Sequence, residues 1–441
     1  MSMTLGAIGM LLGITVLIVL CVKGFNVFLS SMIASIVVII FNGLPFWDSI
    51  ITTYFSGMSG FIGTYTLFFC LAAAYGELMK VTGAAETIAN ALFKLVGAKY
   101  TAFATLLVTW VLAYAGINAF IVVFAVYPIA MPMFKKANIS KNLMPAIFLF
   151  GSVVLCVCTP GANSGLLIAL STGLGVSLLA GTVMGLCVLA AALIFGFFYL
   201  TMRARALAAK GEVFEASESD HQLELAHAEK GLPSLWSSLI PVVLMALARV
   251  VLVQIGWAAL PASYTALLIA IVLILILQRG FLTGIATETF TKGFFSAVDI
   301  LLLNAGTMGF AAVINACAAF SLFTNFAMWM CENLNPYISS IVSVSIFSGI
   351  TGASLSGSTI FANLMADTYL SYGINPAALY RIVSVASMGL DTLPHCPTFL
   401  AMAAVCGVTA KKSYSHVFWC TVIAPIALAL LCVVLALIGI V

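Results

Sequence analysis

The sequence predicts an all-α protein that crosses a membrane many times, and three observations carry that prediction. Of 441 residues, 63% are hydrophobic and only 7% are charged, against about 25% charged in an ordinary soluble domain. The mean hydropathy is +1.21. The chain is also a succession of long apolar runs punctuated by Gly, Pro and small polar residues. With about 20 residues per spanning helix, these runs hold roughly ten to thirteen membrane segments, some of them short or broken. The net charge of +3 comes mostly from loop Lys and Arg, so it bears on topology and points to no nucleic acid. The eleven Cys fall mostly in apolar runs without metal-ligand spacing. They read as small buried hydrophobes, and neither a metal nor a cofactor is expected.

The first run, 1–21, lacks the basic start and small-residue cleavage site of a secretory signal and reads as a retained span. A second run, 25–41, ends in a turn from Gly43 to Asp48, where Pro45 and Trp47 suit an interface. The third, 58–79, ends in Glu77 and Lys80. The less apolar 83–95, with Glu86, Asn90 and Lys94 four residues apart, suits an amphipathic helix along the membrane surface. The run 100–114 leads into Ala115, Gly116, Ile117 and Asn118, a weak helix stretch that permits a break. Next, 121–134 carries Pro128 and Pro132 and closes on Lys135, Lys136 and Lys141, a cytoplasmic signature. The run 143–158 ends in the seven residues from Thr159 to Gly165, either a helix break inside the membrane or an ordinary turn outside it. One or two spans follow to 202.

A polar segment, 203–234, divides the chain near its midpoint into two membrane regions, 1–202 and 235–441. Its mixed charge suits a cytoplasmic linker. A shift of roughly 235 positions lays Tyr100 on Tyr337, Gly116 beside Gly352, Ser140 near Asn375 and Pro160 on Pro394, the pattern of a transporter built from internal repeats.

In the second half, 235–255 and 264–277 read as spans. Arg249 reads as an interfacial or snorkelling side chain, with a substrate counter-ion as the other reading. Asp299 and Asn304 lie on the apolar run 297–314. The stretch 348–359 holds three Gly and six Ser or Thr, a poor lipid-facing helix whose backbone needs protein or trapped water. Close helix packing through small residues is the alternative reading. Asp367 and Arg381 are expected at opposite membrane edges. Then come Asp391 and His395, four residues apart, with Pro394 and Pro397 breaking any helix that carries them. An intramembrane carboxylate costs roughly 2.5 to 3.5 kcal/mol, which marks the pair for function, with a buried structural pair or a loop outside the membrane as the other reading. A last span fills 417–441.

The stretch Thr351 to Thr359, followed some thirty residues later by Ala386-Ser-Met-Gly-Leu-Asp-Thr-Leu-Pro-His395, resembles the gluconate permease family and its hydroxy-acid relatives, within the ion transporter superfamily that also holds citrate–metal symporters. The resemblance implies a bacterial inner-membrane symporter for small organic anions, driven by protons or another cation. It further implies inverted repeats that each contribute a re-entrant hairpin to a mobile domain, dimers, and an elevator mechanism. The chain departs from the family in Cys158 to Asn163, which lacks a His- and Pro-rich form, and in Cys396 and Pro397 after the His. Gluconate and a smaller hydroxy acid such as 3-hydroxybutyrate therefore both stand as substrates.

Such a symporter needs an anion site made of opposed half-helix N-termini and hydroxyl or amide donors. The candidates are Asn118, Thr159, Asn163, Ser164, Ser356, Ser358, Thr359 and His395. Coupling needs a group whose charge changes: His395, taken as the only intramembrane His, or Asp391, which either orients that His or carries the proton itself. With sodium as the coupling ion, Asp391 and backbone carbonyls at the breaks are the natural ligands. The competing reading is a cation/proton antiporter using Asp299, Asp367 and Asp391. The chain holds no His-Glu zinc-protease pair and no Gly-x-Ser-x-Gly elbow, so no enzyme is expected.

Overall fold

A computed structural model describes residues 3–23, 25–114, 119–162, 164–215 and 231–441. Asn118, Asn163 and the middle of the polar segment lie outside the described residues. All regular structure among those described is helical, as a lipid solvent demands of every backbone N–H and C=O. Eight helices are long and apolar enough to cross a membrane, or up to nine if one bent pair counts as a span; four shorter apolar helices accompany them. The bent pair, Ala84–Val96 and Ala98–Tyr114, turns by 103°, and the first of the two has the amphipathic pattern of a surface helix.

The order of helices recurs. The first half runs α1 (Met3–Val22), α2 (Val27–Asn42), α3 (Phe46–Val81), α4 (Ala84–Val96), α5 (Thr101–Tyr114), α6 (Ala119–Ala137), α7 (Lys141–Cys158), α8 (Gly165–Leu174) and α9 (Thr182–Ala209). The second runs α10 (Leu235–Gln254), α11 (Ala259–Leu277), α12 (Ala286–Ala316), α13 (Phe320–Asn333), α14 (Pro336–Thr351) and α15 (Ser354–Leu364), extended by α16 (Ala366–Ser371). It closes with α17 (Pro376–Ala386), α18 (Pro397–Val405) and α19 (Ala410–Leu437). Helix α5 answers α14, and α7–α8 answers α17–α18. Helix α9 continues past 202 into the polar segment.

Local chemistry sets these boundaries. Asn26 Oδ1 accepts the Phe28 N–H at 2.9 Å at the head of α2, and Gly43 closes that helix at φ 62°. Asn335 and Asn375 cap α14 and α17 in the same way, each just before a Pro in the first turn, where a missing N–H costs nothing. Ser140, matched to Asn375 by the sequence register, accepts the Asn142 N–H. Gly352, at φ 65°, ends α14 in the left-handed region that disfavours other residues. The break within 348–359 is thus only Gly352 and Ala353 wide. Pro397 restarts a helix after the turns at 387–396.

Small residues bring helices close. A Cβ on Gly357 would lie 2.1 Å from Ser348 Oγ, and one on Gly173 would lie 2.6 Å from Ala362 Cβ, the backbone approach expected of membrane helix interfaces. Part of the Gly/Ser stretch therefore packs helices.

Arg381 is enclosed by the protein. It is buried, 1% exposed; its Nε donates to Ala180 O at 2.8 Å and its Nη2 to Leu178 O at 3.1 Å. The turn between α8 and α9 has spare carbonyls, and hydrogen-bonding to them compensates a charge that lipid would not solvate. Asp367, in contrast, is exposed.

Candidate functional site

A cavity of about 320 Å³ lies where helix ends meet. Gly165 and Ser354, the first residues of α8 and α15, both line it, as does Ala119, the first described residue of α6. Helices α8 and α15 run side by side in the same direction, because Gly165 faces Leu355 at one end and Gly173 faces Ala362 at the other. The positive dipole ends of this parallel pair both reach one cavity. Ser164 Oγ caps α8 by accepting the Leu167 N–H. Ala353 offers α15 no side-chain cap.

The polar wall is Arg249, Ser152, Ser164, Ser263 and Ser354; Tyr65, Phe68 and Leu260 are among the apolar remainder. Arg249 is 4% exposed and is the one cationic side chain on the wall among the described residues. It is enclosed by the protein and does not snorkel. On α10 it shares the inward face with buried Ser238 and Met245, spaced seven and four residues apart as one helix face requires. That seam was the sequence signal for it. Ser152 lies in the π-helical segment Phe150–Leu155, a form frequent at functional sites. Cys156, beside it on the wall, points its Sγ to Ala113 O at 3.6 Å.

The other sequence candidates scatter. Thr159 is buried at the break after α7, where its hydroxyl donates to Leu155 O at 2.6 Å and accepts Trp110 Nε1 at 2.9 Å; it fixes the bend and does not line the cavity. Ser356 and Thr359 face a separate groove on the other side of α15. Ser358 is buried with its Oγ unpartnered among the described residues, and Ser348 Oγ is in the same state.

Asp391 and His395 do not pair. The turns at 387–396 remove the helical spacing that would have joined them. The Asp391 carboxyl faces the N–H and hydroxyl of Ser354 and of Thr392, so it stands at the head of α15, directly behind the cavity wall; its Oδ1 makes no hydrogen bond among the described residues. His395 lies against Gly352, where a Cβ would come within 3.0 Å of its Cδ2 and Nε2, and neither ring nitrogen is hydrogen-bonded there. Nor is it the only buried His in a span: His416, 2% exposed on α19, accepts Arg203 Nε at 3.1 Å. Of the three carboxylates named for an ion exchanger, Asp391 is buried whereas Asp299 and Asp367 are exposed.

The profile of the GntP family permeases matches residues 5–438. The chain belongs to the GntP permease family. Along 98% of its length it is 27% identical to a protein of Bacillus subtilis (strain 168) described as the uncharacterized transporter YxjC, 99% of which is covered. The resemblance read from Thr351 to Thr359 and from Asp391 to His395 is therefore sound at the level of the family. A GntP permease is a transport protein, and the apolar helices make this one a multi-pass membrane protein.

Proposed function

We propose that this permease is a secondary active transporter of the bacterial inner membrane that carries a small organic anion together with a proton or a sodium ion. The observation that carries the reading is the convergence of Arg249 with the N-terminal ends of α8 and α15 on one cavity. A carboxylate there meets a guanidinium fork, serine hydroxyls and two helix dipoles, all of which favour an anion. Cavity size and the largely apolar remainder of the wall suit a monocarboxylate or hydroxy acid, with gluconate and 3-hydroxybutyrate as the types to compare.

Coupling follows from Ser354, which faces the cavity on one side and Asp391 on the other. An ionised Asp391 opposes an anion at the same helix head. For like charges about 6 Å apart at an effective dielectric near 20, the repulsion is about 3 kcal/mol, roughly a hundredfold in affinity. A proton or a sodium ion on Asp391 removes that penalty, so anion and cation bind together. The recurring helix order suits inverted repeats, alternating access by an elevator motion, and a dimer that anchors the static part.

Uptake of labelled gluconate, 3-hydroxybutyrate, lactate and citrate into proteoliposomes under imposed proton and then sodium gradients tests the reading, with Arg249→Ala beside the parent. Uphill uptake of one carboxylate that needs one gradient and is lost in the variant is the expected result. Ion exchange with no organic anion present would replace it with the antiporter.

A further inference from the structure

The cavity at Arg249 has a neighbour. On the opposite face of α15 lies a groove of about 430 Å³, lined by Asn315, Ser356, Thr359, Ile360, Asn363 and Leu364. Ser356, Thr359 and Asn363, at i, i+3 and i+7, form a polar stripe along that face. Among the described residues, Leu355 alone lines both spaces. It bridges the gap between the two helix heads, because a Cβ on Gly165 would lie 3.6 Å and 3.7 Å from its Cδ1 and Cδ2.

We propose that Leu355 is a partition that sets the length of the anion this permease accepts. The inference rests on the anion reading of the cavity. A carboxylate held at Arg249 and the helix heads extends its tail toward Leu355, and the isobutyl group ends the space available to it. On the far side, the hydroxyls and amides of Asn315, Ser356, Thr359 and Asn363 are suited to a polyhydroxylated tail, so removing the partition joins a carboxylate site to a hydroxyl-binding groove. Gly165 is part of the same device: with no side chain of its own, it lets Leu355 close against the head of α8.

The test is competition by a series of 2-, 3- and polyhydroxy monocarboxylates and plain alkyl acids of two to seven carbons against whichever of labelled gluconate, 3-hydroxybutyrate and lactate the parent takes up, using the parent, Leu355→Ala and Leu355→Phe in proteoliposomes. Leu355→Val replaces the Ala variant if the latter does not yield monodisperse protein. The expected result is a gain of at least tenfold in relative affinity for the longer polyhydroxy acids in Leu355→Ala, and a shift toward shorter acids in Leu355→Phe. Adding Thr359→Ala to Leu355→Ala removes the gain for polyhydroxy acids but not for alkyl acids of equal length. An unchanged length profile in variants that still transport overturns the partition and leaves the anion site standing. Absence of carboxylate binding by the parent overturns both.

Discussion

Trp110 Nε1 donates to Thr159 Oγ1 at 2.9 Å, and the same hydroxyl donates to Leu155 O at 2.6 Å. The hydroxyl adds a second bond to a carbonyl that already accepts the Thr159 N–H at 3.1 Å, while α5 holds it from outside, so both helices pin the point where α7 ends. Trp110→Phe keeps the ring and loses the donor. It should lower stability by about 1 kcal/mol, read as a small fall in the thermal midpoint in detergent with transport retained. Thr159→Val, which leaves the indole N–H unpaired, should cost more than Trp110→Phe.

Arg381 joins α17 to the turn between α8 and α9 through two carbonyls. Hydrogen bonds to a charged group are worth about 1.5–3 kcal/mol each, so Arg381→Ala should sharply reduce the yield of monodisperse protein. Arg381→Lys keeps the charge without the planar fork and should fall between parent and Ala in thermal midpoint. Equal behaviour of all three would remove the structural role assigned to the side chain.

Gly357→Ala places a Cβ 2.5 Å from Ser348 N as well as against its Oγ. Overpacking of this kind costs about 1–3 kcal/mol, and a backbone neighbour cannot turn aside, so Ser348→Ala should not rescue it. Gly60→Ala and Gly63→Ala on α3 have open space around them and should leave the thermal midpoint unchanged or raised.

Asp391→Asn mimics the neutralised carboxyl at the head of α15. Binding of the anion should persist within a few-fold and lose its dependence on the coupling ion, while accumulation against a gradient disappears. Isothermal titration with and without the ion, beside gradient-driven uptake, separates the two. A variant that still accumulates substrate uphill would remove Asp391 from coupling.

What was legible in the sequence was mostly local. Gly352, Pro160, Asn375 and Pro397 speak through φ angles, caps and missing donors, and the breaks fall where these residues stand. Ser164 reads as a hydroxyl donor at a break, and the structure places it there as the cap of α8 on the cavity wall. Facing was harder. Ser354, Ser356, Ser358 and Thr359 crowd one short helix, and only their neighbours decide that Ser354 lines the cavity, Thr359 lines the groove and Ser358 is buried. Arg249 and Arg381 looked like edge residues because a single charge in an apolar run carries no information about its partners; those come from segments 200 residues away in the case of Arg381. The i, i+4 spacing of Asp391 and His395 suggested a pair only on a continuous helix, which Pro394 denies them.

The tie between Arg381 and the carbonyls of Ala180 and Leu178 also has a mechanical meaning. The contact joins the two halves of the chain, and Leu178 O further accepts the Gly161 N–H at 3.1 Å. Separating these segments would leave a buried guanidinium and the Ala180 carbonyl without these partners, while Leu178 O keeps the Gly161 N–H. The turn between α8 and α9 and the helix α17 are therefore fastened to each other across 200 residues of chain, a tie that Arg381 closes with both carbonyls.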